Sequence, residues 1–325
     1  MARQDVNYHG IDTSDFSPDF GTLHPLVMHE LLWALKVQDK PLAKALLKLV
    51  LDPPARKFTR LLLELEQAVA AQGPAYGARK ISRYFFDDLT VHGAEHIPQE
   101  GACIIAANHP GGMDFLAQIE AARRDDLRVI SSDVNFMRPL PGLNQYLVPI
   151  SSDARSRYAA LRETLAHLRD GGMLLLYPTG SIDPDPHYFR NAQDHLARWS
   201  RSLAVYLQKG APLQVVPAIT SQAISEKILF SRLVMRQKRR VDRQRAAEFL
   251  QTMNMMYLKG QRLNLKVSFG EAMVFDDPHA DEAKLAGWLA QIKQAAQALM
   301  QAHLTRFPPA RAELWEEKEQ VFQTI

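Results

Sequence analysis

The sequence contains, at residues 102–114, the segment ACIIAANHPGGMD. Its first six residues, Ala102 to Ala107, are small or apolar, and a short apolar run bounded by turn residues predicts a buried β-strand. The apolar pattern from Phe115 to Ala122 predicts a helix that begins near Met113. A strand, a tight turn and a helix in this order indicate an α/β domain, with the turn at the end of the sheet where ligands bind.

The turn carries two side chains suited to general-base chemistry. His109 titrates near neutral pH, and Asp114 can hold its imidazole in one tautomer. On one continuous helix, side chains five residues apart would point about 140° away from each other, so a turn must separate them. Gly111 and Gly112 can supply positive φ angles for such a turn. The positive end of the following helix should disfavour the imidazolium. The alternative is that His109 and Asp114 only cap a turn and a helix.

Composition limits the class of protein. A chain of 325 residues that is 46% hydrophobic is long enough for one large α/β domain and a smaller appendage. Its single cysteine, Cys103, excludes an internal disulfide and favours a reducing compartment. The polar segment 1–20 lacks the apolar core of a secretory signal, and no apolar run reaches the length of about 18 residues that a membrane span needs. We therefore expect a cytoplasmic protein that meets any lipid from the water side, at the inner face of the membrane.

Periodicity divides the chain into two parts. Residues 1–85 are predicted to form an arm and a helical subdomain, with helices at 24–37, 40–51 and 57–71, a break at Pro53-Pro54, a linker at 73–77 and a further helix at 79–86. Residues 86–325 are predicted to form the α/β domain. Its strands are expected at 89–92, 102–107, 128–131, 146–150, 173–177, 212–219 and 263–269, with helices at 158–169, 194–209 and 282–304. The prediction is a central mixed β-sheet flanked by helices, with an N-terminal helical appendage.

A second sequence segment narrows the interpretation of the His109–Asp114 motif. The apolar run that ends near residue 177 leads into Tyr177-Pro178-Thr179-Gly180-Ser181. With Asn108, His109 and Asp114 before it, this order resembles the glycerolipid acyltransferases, which have an N-H-x-x-x-x-D motif followed by Phe-Pro-Glu-Gly-Thr-Arg. The apolar segment around Pro217 resembles that family's last motif.

The resemblance implies an α/β enzyme that moves a fatty acyl group from acyl-CoA or acyl carrier protein to a hydroxyl or amine of a lipid-type acceptor, such as a glycerol phosphate or a lysophospholipid. His109 would be the base, and Asp114 would orient it. The thioester is a co-substrate, and neither a cofactor nor a metal site is implied. Backbone N–H groups near Gly111 and Gly180 are candidate oxyanion donors. The resemblance assigns substrate contacts to Asn108, Gly111, Gly112, Tyr177, Pro178, Thr179, Gly180, Ser181 and Pro217.

The sequence also departs from the family pattern. Thr179 stands where the family has glutamate, and Ser181 and Ile182 stand where it has threonine and arginine. A glycerol phosphate bound in the usual way is therefore in doubt. The alternatives are an acyltransferase for another acceptor, such as an ornithine-lipid precursor or a specialised metabolite, or a non-catalytic lipid-binding relative. A hydrolase that uses Ser181 as its nucleophile lacks the G-x-S-x-G turn.

Basic residues suggest two further contacts. Arg155 and Arg157 follow the strand predicted at 146–150 and are candidates to bind an anionic group of the acceptor, because guanidinium groups pair with phosphate in a bidentate manner. The segment 232–245 has seven Arg and Lys residues and one acid, and it would suit an anionic membrane or an acidic carrier protein. Both groups have a simpler explanation as solvated helix surface. No nucleic-acid-reading motif accompanies them.

Overall fold

The computed structural model of the chain describes residues 18–35, 37, 39–151, 153–189, 191–199, 201–210, 212–237, 240–257 and 262–309. In this part of the chain, eight strands form one mixed sheet, and apolar side chains cover both of its faces. The α/β fold with a central mixed sheet, predicted from the sequence, is confirmed.

The strands and helices follow the predicted order. The strands are β1 (Phe86–His92), β2 (Cys103–Ala107), β3 (Leu127–Ser132), β4 (Leu147–Ile150), β5 (Met173–Leu176), β6 (Leu213–Ser221), β7 (Leu263–Phe269) and β8 (Met273–Phe275). The helices are α1 (Phe20–Ala34), α2 (Pro41–Phe85), α3 (Asp114–Ala122), α4 (Pro141–Asn144), α5 (Ala154–Arg169), α6 (Ala192–Leu196), α7 (Arg201–Lys209), α8 (Glu226–Leu229), α9 (Arg232–Met235), α10 (Arg240–Tyr257) and α11 (Glu282–Arg306). Short 3-10 helices occur at Ala94–His96 and Asn135–Met137.

The strand β2 lies inside the sheet, whose order is β1-β7-β6-β2-β5-β3-β4, with β8 paired to β6. β2 runs parallel to both neighbours, β5 and β6. Cys103, Ile105 and Ala107 pack in the apolar cluster on one face, whereas Ile104 and Ala106 pack in the cluster on the other. Because successive strand residues point to opposite faces, a strand covered on both sides must be apolar throughout. This requirement explains why the segment was recognisable from sequence.

The N-terminal helices depart from the prediction in one respect. Pro53 and Pro54 do not end a helix, since both lie inside α2; the interruption falls at Gln72 and Gly73, whose φ and ψ angles are not helical. A proline inside a helix removes a hydrogen bond and crowds the preceding turn. Here Pro54 and its neighbours Leu51 and Ala55 are buried, and this packing holds the helix together. The predicted helix at 79–86 is the last part of α2.

The helices α1 and α2 do not form a hydrophobic core of their own. Their buried side chains belong to the same apolar cluster as one face of the sheet, together with residues of α3, α4 and α10. The helices α5, α6, α7 and α11 cover the opposite face. The predicted helix at 194–209 is two helices, α6 and α7, with buried Trp199 between them. Within the described residues, no helix combines the length and the hydropathy needed to span a bilayer.

Candidate active site

The structure brings His109 and Asp114 together at the C-terminal end of β2. The imidazole Nδ1 lies 3.0 and 2.9 Å from the two carboxylate oxygens of Asp114. Asp114 is the first residue of α3, close to the predicted helix start, and its side chain is fully buried, whereas 21% of the His109 side chain is exposed. With Nδ1 occupied by the carboxylate, Nε2 is the ring nitrogen left to receive a proton from a bound molecule.

Tyr177 holds this pair from the neighbouring strand. It follows β5, and its ring stacks on the His109 imidazole at a centroid separation of 4.1 Å and an interplanar angle of 20°. Its hydroxyl lies 3.3 Å from Asp114 Oδ1 and 2.7 Å from Oε1 of Gln118, to which it donates. In the structure Tyr177 contacts both His109 and Asp114, and its predicted contact with substrate stays a prediction.

Two glycines shape the turn, although by a different mechanism from the one predicted. Neither Gly111 nor Gly112 has a positive φ angle. Gly111 is instead required by space, because a Cβ atom there would lie 2.9 Å from both the Cβ and the carbonyl oxygen of Ala223. Gly112 would meet no atom within 4 Å. The turn therefore relies on close packing against the chain that follows β6.

Asp183 fixes the backbone of the histidine. The His109 N–H donates to Asp183 Oδ2 over 3.0 Å, and the Asp183 N–H donates to the His109 carbonyl over 2.7 Å. The buried Asp183 carboxylate also lies 3.4 Å from Nδ1 of His195. This pair of hydrogen bonds connects the turn that carries His109 to the loop that follows Tyr177–Ser181.

Asn108 ties the same turn to β6. Its amide nitrogen donates to the Thr220 carbonyl over 2.9 Å, and its amide oxygen accepts from the Thr220 N–H over 2.7 Å. The side chain is 2% exposed. Asn108 therefore anchors the end of β2 to its neighbour; its predicted contact with substrate stays a prediction.

Carboxylates set the charge state of the base. Burial lowers the pKa of His109, because it disfavours the charged imidazolium. The charge and hydrogen bond of Asp114, with the charges of Glu248 and Asp183, outweigh burial, so the pKa of His109 is raised above its ordinary value. The net rise in the pKa of His109 runs opposite to the effect expected from the start of α3.

The second motif forms the loop beside the pair. Pro178 is buried, Gly180 adopts φ +63°, and the Gly180 N–H donates to the Tyr177 carbonyl over 2.9 Å. The Thr179 hydroxyl lies 3.1 Å from Asp183 Oδ2, and Ser181 is exposed. The predicted oxyanion donors are thus already used, since the Gly111 N–H also donates to a protein group, Asp114 Oδ2, over 3.4 Å.

Three other predicted residues lie outside this cluster. Arg155 and Arg157 are exposed in the first turn of α5, beyond β4, which is separated from β2 by β5 and β3. Pro217 lies within β6, where its ring approaches Gly270. The structure does not bring these residues into contact with the catalytic pair.

The basic segment at 232–245 is not uniformly solvated. Arg232, Arg236 and Arg245 are exposed, but Arg243 is buried and its Nε donates to the Gln237 carbonyl over 2.6 Å. Lys238 and Arg239 fall outside the described residues. The segment therefore has exposed arginines and one buried arginine, Arg243, that is held by a hydrogen bond.

Sequence reasoning did not find three residues of the site. Gln118 was detectable in principle, because it lies four residues after Asp114 on the same face of a predicted helix. Asp183 belongs to neither sequence motif, and only the fold shows that it accepts a hydrogen bond from the His109 backbone. Glu248, on α10, has no nearby motif, although its charge acts on His109.

The fold and this site combine a histidine–carboxylate pair with an α/β scaffold. Residues 88–221 match the family model described as Acyltransferase. The matched segment contains His109, Asp114 and Tyr177, so the part of the chain that carries this site is similar to the acyltransferases.

Comparison with solved structures finds a similarity to the crystal structure of the 1-acyl-sn-glycerophosphate (LPA) acyltransferase PlsC from Thermotoga maritima. The two share 17% sequence identity with a TM-score of 0.40, over 89% of this chain and 98% of that one. Comparison with curated proteins gave no match.

Proposed function

We propose that this protein is an acyltransferase that moves a fatty acyl group from a thioester, acyl-CoA or acyl carrier protein, to a hydroxyl or amine of a lipid-type acceptor, with His109 as the general base. The observation that supports this proposal is the pairing of His109 Nδ1 with the buried Asp114 carboxylate, while the imidazole stays partly exposed. Because Nδ1 is engaged by Asp114, Nε2 is the nitrogen that could take a proton from an acceptor.

The proposed reaction is a direct transfer. Nε2 of His109 takes the proton of the acceptor hydroxyl as its oxygen attacks the thioester carbonyl, and Asp114 stabilises the resulting imidazolium. When the tetrahedral intermediate collapses, the carbon–sulfur bond breaks and the thiolate leaves with the proton held by His109. The products are the acylated acceptor and the free thiol, and the enzyme returns to its starting state. Ser181 makes no hydrogen bond with His109, so the contacts favour direct transfer over an acyl-serine route.

The catalytic proposal is tested by following release of free thiol from acyl-CoA with a panel of hydroxyl and amine lipid acceptors. We expect His109→Ala to lower acceptor-dependent release by about a thousandfold, because both the base and its proton transfer are lost. His279→Ala is the matched control, since His279 is exposed on another part of the surface. Full activity of His109→Ala would contradict the mechanism, and no release with any acceptor would contradict the function.

An exposed apolar stripe supports peripheral contact with a membrane. Leu42, Leu46 and Leu49, at the start of α2, are 88%, 65% and 76% exposed. Their spacing places them on one side of the helix, and Lys40 and Lys48 are exposed beside them. Apolar side chains that enter the lipid interface, flanked by cations, bind anionic bilayers. We propose that this leucine stripe rests on an anionic membrane that contains the acceptor.

The membrane proposal is tested by sedimentation with phosphatidylglycerol vesicles and with neutral phosphatidylcholine vesicles. Replacing all three leucines of the stripe by serine should weaken vesicle binding by about tenfold or more, because apolar area no longer enters the interface. Val274→Ser is the control, since Val274 is 67% exposed on β8. Unchanged binding of the triple variant would contradict a role of this stripe.

A further inference from the structure

A third acidic side chain whose charge acts on His109, Glu248 of α10, has a carboxylate oxygen without a hydrogen-bond partner among the described residues. Its Oε1 atom is buried and accepts no hydrogen bond from the described residues. Leaving a buried carboxylate oxygen unpaired is costly, because the oxygen has lost its hydrogen bonds to water and gained none in return. A ligand that donates a hydrogen bond to this oxygen would remove that cost.

Packing places Glu248 beside the catalytic turn. Gln251, three residues later on α10, accepts the Ser225 N–H over 3.0 Å. Ser225 follows closely on Ala223, the residue that packs against Gly111. Residues three apart share a helix face, so Glu248 lies on the side of α10 that faces this segment. The charge of Glu248 acts on His109, and that of His109 acts on Glu248.

The other carboxylates at the site are already engaged. Asp114 binds His109 and the Tyr177 hydroxyl, and Asp183 binds the His109 backbone. Burial raises the pKa of Glu248 to about 7, against the opposing charge of His109. Arg245, one turn earlier on the same helix, is exposed and acts in the same direction as His109. Among these carboxylates, Glu248 is therefore the one with an oxygen left to accept a hydrogen bond from a ligand.

We propose that Glu248 is an acceptor-binding residue that pairs with a protonated amine next to the nucleophilic hydroxyl of the acceptor. The proposal rests on the proposed function and names its acceptor class, a lipid amino alcohol. A phosphomonoester next to the same hydroxyl would bring a second negative charge close to three carboxylates, Asp114, Asp183 and Glu248. Like charges repel one another strongly in a partly buried site, so three carboxylates there would select against a phosphate.

The test compares three acceptors with one acyl-CoA donor: a long-chain 2-amino alcohol, a monoacylglycerol and a 1-acylglycerol 3-phosphate. The wild-type enzyme should have its highest kcat/KM for the amino alcohol. Glu248→Gln should raise KM for that acceptor by about tenfold or more, the effect of losing one charged hydrogen bond, and change KM for the monoacylglycerol by less than about threefold. Glu248→Asp, which keeps the charge, should retain the ranking of acceptors. Glu282→Gln, exposed at the start of α11, controls for the change in net charge.

The outcomes separate this inference from the proposed function. Equal losses for all three acceptors in Glu248→Gln would show a structural role and overturn the inference, as would an unchanged KM for the amino alcohol. A wild-type preference for the phosphate acceptor would also overturn it, without any need for a folded variant, while leaving His109-dependent transfer in place. Failure of the wild type to consume thioester with any acceptor would overturn the proposed function itself.

Discussion

In the proposed mechanism His109 acts as a base only in its neutral form, so the carboxylates around it should set the lower pH limit of activity. Asp114 raises the pKa of His109 through its charge and its hydrogen bond, against the effect of burial. The fraction of neutral imidazole therefore falls as the pH decreases through a value above the ordinary one of about 6.5. The same carboxylate that orients the ring also makes the enzyme sensitive to mild acid.

The variant Asp114→Asn separates these two effects. Removing the charge should lower the pKa of His109 and move the acidic limb of the kcat/KM profile to lower pH. The rate at its optimum should fall by about a hundredfold or more, because the asparagine no longer stabilises the imidazolium. Measuring kcat/KM from pH 5 to 9 for both proteins checks this prediction. An acidic limb that stays in place would show that Asp114 does not control the titration of His109.

In the turn between β2 and α3, two identical residues have different structural roles that the sequence motif does not show. The two adjacent glycines look equivalent in the sequence, and both were expected to provide positive φ angles. The structure shows that neither does, and that only Gly111 touches the chain after β6. The restriction is imposed by a residue more than a hundred positions away, Ala223.

This difference predicts unequal effects of alanine at the two positions. Gly111→Ala should destabilise the fold by about 1–3 kcal/mol, because the new methyl group must displace the backbone and side chain of Ala223. It should also reduce activity, since the turn positions His109. Gly112→Ala should be tolerated, because nothing lies within 4 Å of its Cβ position. Thermal denaturation and kcat/KM measured for both variants test the pair, and an equal loss in the two would refute this explanation.

In the helix α2, tertiary packing likewise outweighs a local sequence signal. The double proline at residues 53 and 54 is a strong local signal for a helix end, yet the helix continues because the surrounding residues pack in the core. The actual interruption lies at Gln72 and Gly73, where the Gly73 backbone takes φ +80°. Local signals of this kind compete with tertiary packing, and here packing decides.

At the scale of the whole molecule, a buried histidine joins three elements on the side of the sheet covered by α11. His303 of α11 lies 2.7 Å from the Ser221 hydroxyl of β6 and 2.8 Å from the Ser268 hydroxyl of β7. Burial and the charge of His187 lower the pKa of His303 to about 4. The imidazole is therefore neutral in the folded protein at physiological pH.

The lowered pKa of His303 predicts a loss of stability in acid. The unfolded chain binds a proton near the ordinary value of about 6.5, whereas the folded protein does so only near the lowered value of about 4. The free energy of unfolding should therefore fall as the pH decreases from about 6.5 towards 4, by a few kcal/mol in total. Urea denaturation across this range, compared with His303→Gln, measures the effect. The variant should be less stable at pH 7 and lose less stability on acidification, and parallel curves would contradict this assignment.

The class of fold and the pairing of His109 with Asp114 could be predicted from the sequence. Apolar runs such as Cys103–Ala107 identify buried strands because their residues must satisfy both faces of a covered sheet. His109 and Asp114 could be paired in advance because a short turn brings them together, independently of the rest of the chain. Their local spacing carries this information.

Only the tertiary structure decided what surrounds that pair. Tyr177, Asp183 and Glu248 reach His109 from three other parts of the chain, by stacking, by hydrogen bonding and by charge. Arg155 and Arg157, whose residue type suits phosphate, lie exposed beyond the far strand β4. The sequence shows which chemical groups are present. Their burial and their neighbours, which set their charge, come from contacts between distant segments. Those contacts form only when the chain folds.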